Sequence, residues 1–587
     1  MAPDRPDGRP RDRRRTAALV VAGLAATATA AGAVVLLDRD GTDAAPAAAP
    51  PPSSSAPPTS TSSSPRPSPT PSATPTTAPP ERAAGTEPAV RRLRAADRHA
   101  LSVAATRASL RRPTAVPVVY LVADDALDLG WAAVPAAAAR GGAVLLTRGD
   151  RLPTTTADEL ERLAPAEIVL VGDARSVATR VATAARRIAP VVRVDTDDPV
   201  AAARALNRAA FPTATAAWVA GTGTDSDLAV GAAAAAARRA PLVVVEDDAR
   251  TLPAADVDLL SDLGVRSATV VGGRGAVAAG VESALTEALG ERAVRRAEAG
   301  DRAALAARVH TLAWGKATAA AAYVANADRP TDTFTGAFLA GRARVPLFWT
   351  RPYCLPAPTR DGVLADTVAR VTVLGGEQSV RSLVDDLTAC RSIEDPSSPW
   401  VLVNKRNGLS PRSFRPSDLR VPAMEHSGGH ELRADAADAL AEMAAASVAA
   451  GAGRVGIDTA FRSHATQDAL YDRYLARKGR TWTDTWYLRP GYSEHQTGLT
   501  VDLLPIGRPS CTINDCIDET PQGVWLARNS WRHGFILRYE RGRTATTGVG
   551  FEPWHFRYVG RAVARAYHEG GWHTYEEFLG RPAAPTY

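Results

Sequence analysis

The chain has 587 residues, more than one hydrophobic core can serve, so three or four folded units are expected. It carries a net charge of +6 and a pI of about 9.3, but Met1–Arg15 supplies half of that excess, with six Arg against three Asp. No dense basic-aromatic stretch follows, which excludes a nucleic-acid partner from the reading.

Behind the Arg-rich start, Thr16–Leu37 is an unbroken apolar run of 22 residues, long enough to span a bilayer as a helix. Ala-x-Ala sites near Ala28–Ala30 would suit a signal peptidase, but the run continues past them. An uncleaved anchor is therefore expected ahead of a removed signal. Residues 41–86 are rich in Pro, Ser, Thr and Ala and read as an extended spacer without a core.

Three landmarks then recur. Leu152-Pro153, Leu252-Pro253 and Leu355-Pro356 are spaced by 100 and 103 residues, and Gly172, Gly272 and Gly375 keep the same steps, each closing a β-rich run. Asp128, Asp227 and Asp332 each open a small-residue segment, and helical stretches begin near Asp97, Asp197 and Asp301. Such register argues for three tandem modules of short strands and Ala-rich helices, α/β units with a mainly parallel sheet. The Asp before a small-residue helix, the apolar strand, the Leu-Pro and the closing VVGG (Val270–Gly273) or VLGG (Val373–Gly376) resemble the cell-wall-binding repeat family of Gram-positive surface proteins. Copy one departs from it with Val171-Gly172-Asp173. The resemblance implies attachment to anionic wall polymer. Charge lends no support, since residues 117–392 hold 30 Lys and Arg against 32 Asp and Glu; the competing reading is that the modules are spacers.

Four cysteines, Cys354, Cys390, Cys511 and Cys516, allow three pairings. Proximity favours Cys354–Cys390 and Cys511–Cys516, and export would permit both. The absence of a C-x-x-C pair argues against a zinc quartet of cysteines.

The last unit begins near Pro399 with a strand and a polar loop, followed by an amphipathic helix over Arg433–Ala449. Three clusters follow. DTAFRSHATQ (Asp458–Gln467) offers Arg462, a planar fork suited to a carboxylate. In YSEHQTGLTVDLLP, Leu499, Val501 and Leu503 alternate with Thr500 and Asp502, so Asp502 leaves the apolar face of a strand and needs a partner. FEPWHFRY (Phe551–Tyr558) holds Glu552 and His555 among aromatics. Together His495, Asp502 and His555 make a three-ligand zinc set with one open position, the catalytic arrangement. Glu552 is then the candidate general base. Neither histidine's outer hydrogen-bond acceptor is identifiable.

S-x-H-x-x-G-x-x-x-D followed by E-x-W-H resembles the VanY-type D-alanyl-D-alanine carboxypeptidases, in the lysostaphin, D-Ala-D-Ala and hedgehog-like metallopeptidase group. LVNK (Leu402–Lys405), FRSHATQ, SEHQTGLTVDL and EPWHFRYVG extend the likeness over roughly residues 400–580. The resemblance implies one Zn2+ held by His495, Asp502 and His555, with Glu552 as base and Arg462 at the substrate or developing oxyanion. It makes Gln467 and Ser493 substrate-pocket residues. Thr500 stands where a small Ala is usual, and His464 where a Tyr is usual. The implied activity is hydrolysis of the terminal D-alanyl bond of peptidoglycan stem peptides. Alternatives are an L,D-carboxypeptidase, an endopeptidase, or a non-catalytic wall-binding surface protein.

The expected fold is multidomain: three tandem α/β repeats of the wall-binding type, then an α+β zinc peptidase domain with a central antiparallel sheet. The expected boundaries are a basic cytoplasmic segment over 1–15, an anchor or signal over 16–37 and a linker over 38–87. Repeats follow over 88–196, 197–296 and 297–394, and the peptidase over 395–587. The expected partners are stem peptides, anionic wall polymer through the repeats, and the membrane through 16–37. The expected location is outside the cytoplasm of a Gram-positive, actinobacterial-type cell, membrane-anchored or secreted and wall-associated.

Overall fold

The computed structural model describes residues 87–587 apart from 112–114, 316–318, 366, 509–510 and 512–514. The basic segment, the apolar run 16–37 and the Pro-rich tract up to residue 86 lie outside the described residues. Among those described, no helix is long and apolar enough to cross a membrane.

Runs such as VVYLVA and LVVV are apolar at every position, which suits a strand covered on both faces. They form three four-stranded parallel sheets of one topology. In the first, β2 (Val118–Ala123), β3 (Ala143–Thr147), β4 (Glu167–Val171) and β5 (Val191–Val194) lie in the order β3-β2-β4-β5. In the second, β6 (Ala216–Gly221), β7 (Leu242–Val245), β8 (Ser267–Val271) and β9 (Val294–Ala297) lie in the order β7-β6-β8-β9. The third contains β10 (Ala321–Asn326), β11 (Leu347–Thr350) and β12 (Arg370–Leu374), and its fourth strand is β1 (Ala89–Leu93). A boundary at residue 88 puts that strand in the first module; its ladder puts it in the third.

The closure is the same at each joint. Gly172, Gly272 and Gly375 have φ of 115°, 99° and 103°, a backbone that favours glycine. Their N–H groups donate to the carbonyls of Val194, Ala297 and Leu93 at 3.0, 2.8 and 3.1 Å. An arginine returns each bond: Arg193, Arg296 and Arg92 donate to the same glycines' carbonyls at 2.6, 2.8 and 3.3 Å. So β1 is the counterpart of β5 and β9, and the strand ahead of each module completes the sheet of the module before it. For the first module that predecessor is the third, and the three modules close into a ring. The helices Ala133–Ala139, Asp225–Arg238 and Pro330–Ala343 pack on one another at its centre.

The landmarks acquire physical reasons. Pro153, Pro253 and Pro356 sit at the N-caps of the helices Thr154–Leu163, Ala254–Asp262 and Ala357–Leu364. Asp97, Asp198 and Asp301 cap the helices that open the modules, so the second cap is Asp198 and not Asp197. Asp227 and Asp332 are buried beside Gly272 and Gly375. Beside Gly172 stands Leu129, and Asp128 is exposed. Copy one has therefore replaced the recurring carboxylate with a leucine, and Asp128 is one position out of register.

The third module continues into the last domain through a shared core. Tyr353, Leu383 and Ile393 pack with Trp400, Val563 and Phe578, and the Cys354–Cys390 disulfide lies in the same cluster. Arg381 lies 3.8 Å over the Trp572 ring and donates to the Glu577 carbonyl at 3.1 Å.

The last domain holds the minor strands β13 (Leu419–Arg420) and β14 (Leu432–Arg433), and the helix Ala434–Ala449. Its main sheet contains β15 (Val455–Thr459), β16 (Thr500–Pro505), β17 (Phe535–Tyr539) and β18 (Glu552–Tyr558), antiparallel throughout, in the order β15-β16-β18-β17. Leu499, Val501 and Leu503 enter the core beneath it. Cys511 and Cys516 form the second disulfide.

Arg92 ties the closing strand down. It pairs with Asp385 at 2.9 Å and donates to the Val380 and Arg381 carbonyls at 2.5 and 3.0 Å, with its side chain only 4% exposed. Its partner Asp385 is 29% exposed, so breaking this pair costs less than the roughly 3 kcal/mol of a fully buried one, and two carbonyls lose their donor as well. Arg92→Ala should therefore lower the unfolding midpoint of the repeat ring in a urea titration, while Arg151→Ala, at an exposed pair, should leave it within error.

Candidate metal centre and its cleft

Register brings the sequence-predicted ligands together. Asp502 on β16 is directly opposite His555 on β18, a pairing whose side chains meet on one face. Glu552 is three residues from His555, which in a regular strand would put the two on opposite faces. Here the ladder with β17 is irregular: Leu537 pairs with Phe556, and Tyr539 already with Glu552. Pro553, lacking an N–H, lies in that interruption, and Glu552 Oε2 comes within 3.3 Å of His555 Nδ1. His495 comes from a short turn, Glu494–Thr497, which ends at Gly498 with φ 67°. A Cβ at Gly498 would come within 2.8 Å of Leu419.

His495 Nε2 lies 3.2 Å from one oxygen of Asp502, and His555 Nδ1 lies 3.1 Å from the other. The three ligand atoms fall within 4.8 Å of one another, and all three residues are buried. Asp502 Oδ1 has no hydrogen-bond partner. Two imidazoles and a carboxylate converging in this way are a zinc donor set, so the residues fit the ion. Electrostatics agree. Burial pushes Asp502 up, but the two imidazoles outweigh it and hold the carboxyl well below its ordinary range. Burial pushes His555 down, and the carboxylates of Asp502, Glu494 and Glu552 outweigh it and strongly favour a cation there.

The groups behind the two histidines, missing from the sequence reading, are now visible: a hydrogen-bond acceptor for His495 and a carboxylate at ion-pair distance for His555. His495 Nδ1 bonds the Ala460 carbonyl at 2.8 Å, which leaves Nε2 facing the site. His555 Nε2 faces Glu494 Oε2 at 3.7 Å. Glu494 is fully buried; it accepts from Arg538 Nε at 3.0 Å and is ion-paired with Arg557 at 3.0 Å. Arg538 in turn grips Glu576 with both of its outer nitrogens, at 2.7 and 2.9 Å. Glu494 adjoins His555's partner ligand His495 in the chain, but nothing in its neighbours announces two arginines more than forty residues away.

The cleft above the site has a volume of about 640 Å³ and is lined by Arg462, Gln467, Ser493 and Glu552 with the three ligands. Burial pushes the Arg462 guanidinium down, while Asp502 and Glu552 nearby favour its charge; its Nε has no partner. Gln467 donates to the Leu488 carbonyl at 2.5 Å and keeps Oε1 unpartnered. Ser493 is buried at the cleft wall. Burial raises Glu552 above the ordinary glutamate range. Sequence reasoning missed Asp458, Tyr487 and Tyr539, which also line the cleft. His464 does not line it; it opens the helix His464–Lys478, which Ser463 caps.

Residues 429–561 match the VanY family, described as D-alanyl-D-alanine carboxypeptidase. The last domain is a VanY-type metallopeptidase domain. The putative carboxypeptidase YodJ of Bacillus subtilis is 34% identical over 179 residues, 30% of this chain and 64% of its own length. The chain thus spans just under two thirds of that curated relative. Among solved structures, the vancomycin resistance D,D-pentapeptidase VanY, a mutant in complex with Zn(II), is 31% identical. It covers 30% of this chain and 97% of its own, with a TM-score of 0.27. Cwp6 from Clostridium difficile is 20% identical over 56% of this chain and 52% of its own, with a TM-score of 0.47.

In the VanY-type domain Glu494 should act through His555. Loss of an outer carboxylate typically costs 10–100-fold in metal affinity. Glu494→Gln should weaken zinc binding by about that factor in a chelator competition, with circular dichroism reporting the folded fraction. The hydroxyl of Thr500 is buried without a partner, a cost of about 1–3 kcal/mol. Thr500→Val should raise the denaturant midpoint by the equivalent of about 1 kcal/mol.

Proposed function

We propose that the protein is a zinc-dependent D,D-carboxypeptidase that removes the terminal D-alanine from peptidoglycan stem peptides. The observation that carries this is one cleft holding the His495–Asp502–His555 donor set, Glu552 beside it and the guanidinium of Arg462, whose Nε has no partner. The family match and the carboxypeptidase names of the relatives support the substrate class.

His495, Asp502 and His555 would hold the ion, which when bound supplies Lewis-acid polarisation and a nucleophile at neutral pH. Glu552, raised by burial, takes the proton of the attacking water and hands it to the departing D-alanine amine. Arg462 offers its fork to the charge that develops on the attacked carbonyl, in a buried setting where such a donor counts for more than in water. Gln467 Oε1 is free to accept from a substrate N–H, and the Ser493 hydroxyl lies on the same wall. Tyr539, opposite Glu552 in the ladder, closes the cleft behind His555, its ring centroid 4.7 Å from the imidazole.

In the same reading the enzyme works outside the cytoplasm of a Gram-positive cell. The apolar run 16–37 serves as anchor or signal, and the ring of repeats retains the enzyme at anionic wall polymer. The two disulfides suit an oxidising compartment.

Glu552→Gln should lower kcat on a pentapeptide muropeptide by a hundredfold or more while zinc content by atomic absorption stays at the wild-type level. Activity equal to wild type would exclude the base. A chelator should abolish activity and added zinc restore it. Mass spectrometry should show D-alanine leaving the pentapeptide stem and the tetrapeptide left intact. Trimming of the tetrapeptide instead would make the enzyme an L,D-carboxypeptidase.

A further inference from the structure

We propose that the aromatic wall of the metal cleft is a subsite for the glycan of the substrate, so that the domain prefers stem peptides still joined to their sugars. The proposal rests on the peptidoglycan reading above and deepens it.

The helix Arg480–Trp486 carries Trp482 and Trp486 four residues apart, hence on one face and roughly 6 Å apart along the axis. Both line the cleft. They are 38% and 37% exposed, and they are the only aromatics among the exposed large hydrophobic residues described. Indoles left in water at the mouth of a cleft mark a surface built to be covered.

The wall is continuous with the reacting groups. Tyr487 has Arg462 and Glu552 among its charged neighbours. Its ring stacks on Tyr474 at 4.1 Å, and Trp482 lies 5.8 Å from Tyr474 and 6.0 Å from Tyr487. A run of ring faces therefore leads from the catalytic end of the cleft into solvent. The outer residues are seated and do not dangle. A Cβ on Gly550 would meet the Trp486 ring at 2.4 Å, so only glycine lets that indole lie where it does. Gly550 also donates to the Thr485 carbonyl at 3.2 Å. Lys478 Nζ stands 5.4 Å from the Trp482 ring centroid.

The chemistry of this wall differs from that of the metal side. Asp458, Arg462, Gln467 and Ser493 offer charges, amides and a hydroxyl, which are what the amides and terminal carboxylate of a peptide require. Trp482, Trp486 and Tyr474 offer flat faces with an ammonium at the rim. A pyranose ring presents an apolar C–H face and a fringe of hydroxyls, so it gains dispersion contact on an indole while its hydroxyls stay hydrated or reach Lys478. Two indoles one helical turn apart are a broader platform than one amino-acid side chain covers, and they suit neighbouring rings of a disaccharide.

The test uses the full chain with zinc and two substrates: a free stem pentapeptide, and the same peptide on its disaccharide. The wild type should show a kcat/KM about tenfold higher on the disaccharide form, carried mostly by KM, a preference of the size that one or two stacking contacts supply. In Trp482→Ala and Trp486→Ala the ratio of the two kcat/KM values should fall towards one, and Trp482→Phe should restore most of it. A wild-type ratio of one, or a ratio unchanged in the variants, overturns the proposal. Equal losses on both substrates would mean that the wall holds a peptide side chain, and would overturn it too. Binding of the peptide-free disaccharide, followed by saturation-transfer NMR, separates the two readings. If that sugar binds the wild type and not Trp482→Ala while neither peptide is cleaved, the subsite stands and the carboxypeptidase reading fails. No sugar binding alongside normal cleavage does the reverse.

Discussion

The candidate metal centre depends on a single buried carboxylate. Glu494 sits behind His555 with no exposure to solvent, between Arg538 and Arg557. A lone carboxylate in that position would cost several kcal/mol, and each arginine alone would cost as much. The arrangement is tolerable only as a set. Arg538 must reach both Glu494 and Glu576, and Asn404 donates to Glu576 at 2.9 Å. The orientation of one candidate metal ligand is thereby secured by residues from the start, middle and end of the domain. The network therefore reaches back to the LVNK stretch, far from any candidate ligand. Asn404 completes the network, and Lys405 is buried and donates to the Gly548 carbonyl at 2.5 Å, which fixes the approach to β18.

The repeat ring is held by an equally non-local device. Strand β1 has its partner β12 some 280 residues later, with Ala89 against Arg370 and Leu93 against Leu374. The first strand of the ring cannot be paired until the last sheet exists, and loop-closure entropy opposes it until then. What makes the closure specific is Arg92, the counterpart of Arg193 and Arg296. The recurring feature is a backbone-to-backbone bond from a glycine and a return bond from an arginine, repeated at three joints.

The sequence was legible wherever one residue type had one physical reason. Alternation around Asp502 placed it off the apolar face, and the Leu-Pro pairs kept the step of the repeat; the structure shows why, since each proline sits at a helix N-cap and fixes its own φ there. It was illegible where the reason lay across the fold. Strand β1 looks like the beginning of module one because chain order says so. Its identity lies in the short pattern VRR, which recurs as VVR and VRR before Val194 and Ala297 but is too brief to stand out among 69 Lys and Arg. Asp128 looked like the third member of a set because an aspartate one position away is easy to count. Only the neighbour of Gly172 shows that the set has lost a member. Glu494 and Arg538 were invisible for the same reason: a buried ion pair leaves no periodic trace.

These two constructions meet at Arg381. From the third module it stacks on Trp572 and bonds the Glu577 carbonyl, next to the residue that clamps Arg538. The short helix Tyr575–Phe578, which carries Glu576, is thus held on one side by the ring and on the other by the network behind His555. Its Tyr575 and Phe578 belong to the same core as Tyr353 and Leu383. A boundary drawn between residues 394 and 395 follows the sequence motifs but runs through that core. In physical terms the third module is part of what supports the catalytic domain, because the hydrophobic area that fixes Glu576 is shared between the two. The parallel ring and the antiparallel sheet are different folds, but the placement of the candidate metal ligands draws on packing from both.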